Sequence, residues 1–395
     1  MLDEHLHAKS EHRQGKVLVA AAGRESPSLT VTTSEDSLDP YDGRISLREA
    51  IQYAGGDSLG TRITFDAALD GATIRLAGAS LLIDHSLVID ASSLGSLTID
   101  ADYQSRVFTV TAGEEDEVEL RHLMLIGGSA MNGAGIHNSG TLTVTNCAFS
   151  GNMSRQWGGG IFNQGGTLTV TGSTLSGNSA SFAGGGIYNS AGTLTLNNSI
   201  LAGNTARYGW DVYHNPDGGF LEDPGAGTQT GSHNLIGHDS LDSNGNGTCQ
   251  TFRNGIDGNL VGYSDNPIDP RFLRTPSDGG DGWQDSPYTP DIDESANNDY
   301  GNFRLFADSP ALDAGDNTLI PVDRFDLDGD GDTTEPIPVD LAGHARIQDG
   351  DGDQTATVNM GAYETSAGMP PGDTEVLYVN ATAFPTGDGT SWADA

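Results

Sequence analysis

The apolar positions of this chain fall into short alternating runs, and in its middle the runs repeat. Within Thr141-Leu-Thr-Val-Thr145, Leu142 and Val144 alternate with threonine, the period-two pattern of a half-buried strand. Gly140-Thr-Leu-Thr-Val-Thr145 recurs as Gly166-Thr-Leu-Thr-Val-Thr171 and Gly192-Thr-Leu-Thr-Leu-Asn197, each time 26 residues on. Phe149-Ser-Gly-Asn152 recurs as Leu175-Ser-Gly-Asn178 and Leu201-Ala-Gly-Asn204. Gly158-Gly-Gly-Ile-Phe-Asn163 recurs as Gly184-Gly-Gly-Ile-Tyr-Asn189 and, earlier, as Gly133-Ala-Gly-Ile-His-Asn138. Val118, Leu120, Leu125 and Gly128 form a weaker copy at an offset of 24.

Each period reads as three short strands between Gly and Asn turns. One such unit cannot bury its apolar face, whereas stacked units can. The pattern predicts an all-β parallel β-helix whose coils lie about 4.8 Å apart. Its interior columns are Leu142/Leu168/Leu194, Val144/Val170/Leu196, Phe149/Leu175/Leu201 and Ile136/Ile161/Ile187. Asn152, Asn178 and Asn204 share a corner, where Asn tolerates left-handed turns and can bond from coil to coil. Ile74-Arg-Leu76, Leu87-Val-Ile89, Leu97-Thr-Ile99 and Val107-Phe-Thr-Val110 read as earlier strands. Ser46-Leu-Arg-Glu49 is a capping box opening a short helix with Leu47, Ala50, Ile51 and Ala54 on one face. That helix suits the lid an open core end needs.

Composition sharpens this picture. The 55 Asp and Glu outnumber 18 Lys and Arg, for a net charge of −37. Such a polyanion lacks the basic stripe that nucleic acid requires and is repelled by anionic membranes. No apolar run reaches membrane-spanning length. The acids are not spread evenly. Residues 120–210 contain none, whereas over half of them fall in 216–366. Cys147 and Cys249 form neither a metal spacing nor a disulfide framework. The Asp-rich, Lys-poor, cysteine-poor balance points to an extracellular or cell-surface protein, although the polar N-terminus shows no export signal.

Particular segments resemble known modules. Leu29–Ala54, with Ile45-Ser-Leu-Arg-Glu-Ala-Ile51, resembles the domain named for its Cys-Ser-Leu-Arg-Glu-Ala motif, with Ile45 in place of Cys. Asn234 to Glu364, with Asn359-Met-Gly-Ala-Tyr-Glu364, resembles the choice-of-anchor module. The Phe149-x-x-Asn152 and Gly-Gly-Gly-Ile elements are similar to repeats of polymorphic outer membrane proteins. The resemblance implies a secreted bacterial right-handed β-helix of the pectin-lyase-like kind. It divides the chain into a polar tail (1–28), a cap (29–56), β-helix repeats (57–215), an acidic choice-of-anchor-like end of the β-helix (216–366), and a linker with the truncated start of a further β-helix domain (367–395).

Two kinds of chemistry could sit on this frame. Asp326, Asp328, Asp330 and Asp332 follow the first half of a calcium loop, where alternate carboxylates converge on a hard cation. The match ends there, because Ile337 stands where such a loop has Glu. Asp349-Gly-Asp351-Gly-Asp353 and Asp242-x-Asn244-x-Asn246 are weaker candidates. Ca²⁺ is thus the candidate cofactor. If Ile136 and its equivalents point inward, His137, Phe162, Tyr188 and Tyr213 form an outward column. Trp157, Phe182 and Tyr208 fall in variable loops after the Asn corner, with Arg155 and Arg207 beside them. Aromatics flanked by Arg suit sugar rings and acidic glycans, while stacked aromatics also simply hold coils together. The regular coils carry no recurring pair of acids for glycosidic cleavage. The expectation is therefore a non-catalytic structural or adhesive module with glycans as the candidate partner. The alternative is a pectin-lyase-like lyase or hydrolase.

Overall fold

A computed structural model describes residues 25–55, 61–113, 115–215, 227–238, 252–278 and 298–366. The N-terminal tail to residue 24, the stretch 367–395, Cys249 and the 242–246 acidic run lie outside them.

The repeats close into a parallel β-helix. One sheet of eight strands runs from Thr30–Val31 through Arg62–Phe65, Leu87–Asp90, Glu117–Arg121, Thr141–Thr145, Thr167–Thr171 and Thr193–Asn197 to Thr228–Ser232. Its registers align Leu87, Val118, Leu142, Leu168 and Leu194, and likewise Ile89, Leu120, Val144, Val170 and Leu196. A second eight-stranded sheet aligns Ile74, Ile99, Leu125, Phe149, Leu175, Leu201, Ile236 and Val261. A six-stranded sheet aligns Leu81, Phe108, Ile136, Ile161, Ile187 and Val212. These columns are buried and form one continuous core, since period-two alternation in each strand sends one face of every coil inward. The helix Leu47–Ala54 closes the N-terminal end. Ser46 and Glu49 make the reciprocal capping box, and Leu47, Ala50, Ile51 and Ala54 are buried in that core.

The coil differs from expectation in having four strands rather than three. Ser129–Asn132, Met153–Trp157, Ser179–Ala183 and Thr205–Tyr208 form a fourth sheet where the sequence reads as variable loop. Its inward positions are the small residues Ser154 and Ala180, both buried, so no hydrophobic period marks the strand. A Gly-rich corner follows. A Cβ on Gly159 would lie 2.4 Å from the Gly185 carbonyl oxygen and 2.5 Å from that of Ser179. Glycine is required there because successive backbones touch.

Buried amides fill the corners. Asn152 Nδ2 donates to Asn178 Oδ1 at 2.8 Å, and Asn178 Nδ2 to Asn204 Oδ1 at 2.9 Å. The left-handed turn is taken not by these Asn but by the preceding Gly151, Gly177 and Gly203, with φ from 64° to 72°. A second ladder, unanticipated, runs Asn138–Asn163–Asn189 with 2.7 Å bonds. Both satisfy backbone groups that the turns leave unpaired.

Among the described residues the acidic end adds three short strands to the stack and then leaves it. Strands Thr228–Ser232, Leu235–Ile236 and Leu260–Val261 complete the stack, and 298–366 then runs back along its side. Phe272, Phe303, Leu305, Ala311, Leu341, Met360 and Ala362 pack on Ala148, Ile200, Ala202 and Leu235. The last four lie on or beside the outer face of the second sheet. Gly361 passes flat over that face with φ 96°, and its Cβ position would be 2.8 Å from Thr174 Oγ1. Asn146 Nδ2 and Asn198 Nδ2 donate to the carbonyls of Val339 and Asp316. Deep in this flank Arg346 pairs with Glu364 at 2.7 Å, both side chains almost fully buried. Farther along, Arg324 pairs with Glu119, and the guanidinium groups of Arg62 and Arg121 stand 4.1 and 5.0 Å from the Phe325 ring centroid.

Candidate functional site

The outward column exists as the alternation requires: His137, Phe162, Tyr188 and Tyr213 stand in register on neighbouring coils. Their rings form a continuous file. His137 stacks on Phe162 with centroids 5.2 Å apart, Phe162 meets Tyr188 at 5.5 Å, and Tyr188 stacks on Tyr213 at 5.1 Å. Trp157, at the end of a fourth-sheet strand, reaches across the glycine corner to lie 6.2 Å from Phe162 and 5.8 Å from Tyr188. Register places Ala183 and Tyr208 beside Trp157 on the next two coils. The small side chain of Ala183 leaves a gap between two bulky neighbours.

That gap is a groove of about 370 Å³, lined by Trp157, Phe182, Ala183, Tyr188, Arg207, Tyr208, Tyr213 and Asn215. Four of the seven residues singled out from the sequence thus converge on it: Trp157, Tyr188, Tyr213 and Arg207. Phe162 lies buried beneath as packing. His137 sits one coil away, against Gln164 at 3.0 Å, and Arg155 is exposed outside the lining. Phe182 and Tyr208 are 42% and 47% exposed. Arg207 lies 5.3 Å from the Tyr208 ring. Burial raises the phenol pKa of Tyr188 and Tyr213 and lowers that of the His137 imidazole, so all three are neutral at pH 7. The groove therefore combines apolar ring faces, neutral hydroxyls and one cation, and all of its lining but Tyr213 and Asn215 comes from the acid-free stretch 120–210.

The acidic loops form two clusters. Asp326, Asp328 and Asp330 bring ligand oxygens within 4.8 Å of one another. The loop is wound by its own amides, with Gly331 N–H donating to Asp326 Oδ1. Asp332 is not in the group; its carboxylate instead accepts from Thr334. Asp349 and Asp351 converge with Asp313 rather than with Asp353. Asp313 comes from the Ser309–Gly315 turn, a pairing that only the folded flank creates.

No family model, curated protein or solved structure matches this chain. What the fold defines is a class, the parallel β-helix. No helix among the described residues is long and apolar enough to cross a membrane.

Proposed function

We propose that this protein is a non-catalytic, extracellular or cell-surface β-helix that holds acidic glycans in the groove between Trp157 and Tyr208. The observation that carries this reading is the groove itself: ring faces for apolar sugar faces, with Arg207 for a carboxylate or sulfate. Charge supports it as well. Among a net −37, the acid-free coils form the surface where an anionic chain meets least repulsion. Among the described residues the lining holds no carboxylate, histidine or lysine, which supports the non-catalytic reading. The motif at Ile45–Ile51 and the flank at 234–364 support kinship with the secreted modules they resemble, and the domain division follows from that kinship. Calorimetry with polygalacturonate and heparin fragments tests the reading. Binding lost in Trp157→Ala and Arg207→Ala, without release of unsaturated product, is expected. Unsaturated oligosaccharide release that disappears with EDTA would overturn it.

We further propose Ca²⁺ at Asp326, Asp328 and Asp330. Three hard carboxylate oxygens within reach of one cation, on a loop whose amides hold Asp326 in place, fit that ion's preference. Bound there, the ion would neutralise part of the flank's charge.

A further inference from the structure

The glycine corner is Gly158-Gly-Gly160 and Gly184-Gly-Gly186 in two coils, but Gly209-Trp-Asp211 in the next. Backbone bonds keep the three in step, with Gly186 N–H donating to the Trp210 carbonyl and Ile187 N–H to that of Asp211. Asp211 is fully buried. Its Oδ1 terminates the Asn ladder by accepting from Asn204 Nδ2, and its Oδ2 accepts the backbone N–H of His238 at 2.7 Å. The Asp substitution thus has a structural purpose. Trp210 does not share it. It remains 41% exposed, lies parallel to the His238 ring at 4.0 Å, and forms one wall of a cleft of about 400 Å³.

The opposite walls are Ile268, Pro270 and Phe272, and Ala202 contributes to the lining. Two polar atoms in this mostly apolar lining, Ser176 Oγ and His238 Nδ1, are buried without a hydrogen-bond partner among the described residues. Ser176 itself is 1% exposed. Leaving a buried hydroxyl unpaired is unfavourable, and a ligand group would remove that cost. Among the described residues no Lys or Arg lines the cleft, and the net charge of −37 disfavours an anion. Asp269 stands at the exposed rim, bonded to the Arg271 N–H. A sugar would bring more hydroxyls than the wall can satisfy. The volume exceeds the roughly 150 Å³ of a benzene-sized cavity and falls within the range of small-molecule sites.

We propose that this cleft binds a neutral planar aromatic molecule of one or two rings carrying a hydroxyl or ring N–H, of the phenol or indole class. The rings lie among Trp210, Ile268 and Phe272, and the polar edge bonds Ser176 Oγ or His238 Nδ1. The site is separate from the glycan groove, and its test is independent of that reading. Calorimetric titration of the full chain with indole should show saturable binding with Kd below about 1 mM. Indene, which lacks the N–H, should bind about tenfold more weakly. Trp210→Ala should weaken indole binding about tenfold or more, and Trp157→Ala should leave it unchanged. Should Trp210→Ala not fold, Thr275→Trp at the exposed rim crowds the mouth and should cause a similar loss. Absence of saturable binding by a chain with a normal melting transition overturns the proposal. Equal loss in Trp157→Ala, or no loss in Thr275→Trp, does so too.

Discussion

In coils 118–204 the side chains of the interior columns stack on their equivalents one coil away: Leu on Leu, Val on Val, Asn on Asn. In the flank 298–366 the buried residues meet partners with which they share no pattern, such as Gly361 on Thr174 and Arg346 on Glu364. The first region repeats one local solution and so spreads its stability over equivalent contacts. The second depends on a few long-range contacts that must all form together. The difference teaches where charge can sit. Stacked coils would place like acids one coil apart, whereas the irregular flank can hold them apart or pair them.

The contrast can be broken most severely at the glycine corner. Gly159→Val should abolish cooperative folding of the coils, a loss above about 4 kcal/mol, because the new Cβ would meet two carbonyl oxygens below 2.6 Å. Circular dichroism melting checks this, and a melt within a few degrees of wild type would show that the backbones are not so close. Next is Arg346→Met, which leaves Glu364 buried without its cation. It should cost about 3–5 kcal/mol, felt first by the flank. Hydrogen exchange should quicken in 298–366 while amides of 141–197 stay protected. Exchange that quickens equally in both would mean the two regions form one cooperative unit. Asn178→Ala should cost about 2–3 kcal/mol, since the Asn152 and Phe149 groups it bonds would lose their partner. Here the coils, not the flank, should weaken.

A smaller effect follows from pH. Burial raises the Glu364 carboxyl pKa to about 7, although Arg346 and the Asn359 N–H pull it down. The fold therefore binds a proton that the unfolded chain has released. Its contribution is full below about pH 4.5 and is lost as pH rises through about 7. His122 acts oppositely: burial lowers its pKa, so its contribution is present above about pH 6.5 and lost on acidification. Glu364→Gln should remove only the loss on the alkaline side, read as thermal midpoints from pH 5 to 8. Unchanged slopes would place the titration elsewhere. The smallest change is expected from Ca²⁺, which should raise the flank's midpoint by a few degrees. Asp328→Asn should reduce that gain; an equal gain in the variant would reduce the effect to nonspecific screening.

Much of this was legible beforehand for a physical reason. Identical strands at a constant spacing have to stack, and alternation then dictates which of Leu142, Ile136 or Phe162 faces in or out. The aromatic file followed from the same step. The fourth strand stayed hidden because its inward residues, Ser154 and Ala180, are small and carry no hydrophobic period. The flank's docking face did leave a signal. In Ala148-Phe149, Ile200-Leu201 and Leu235-Ile236 alternation fails, because both faces of the sheet are covered. The Trp210 cleft also had a mark in the sequence, the break of Gly-Gly-Gly into Gly-Trp-Asp.

The chain by itself determined three strands of the coil, their register, the interior columns and the capping helix, because each of these is set by residues close in sequence or at a constant offset. Only the tertiary structure decided that the acidic end turns back along the stack, that Asp313 joins Asp349 and Asp351, and that Trp157 reaches over Ala183 to open a groove. Those outcomes rest on contacts between residues with no shared period, and such contacts acquire their energy only when the whole fold brings both partners out of water.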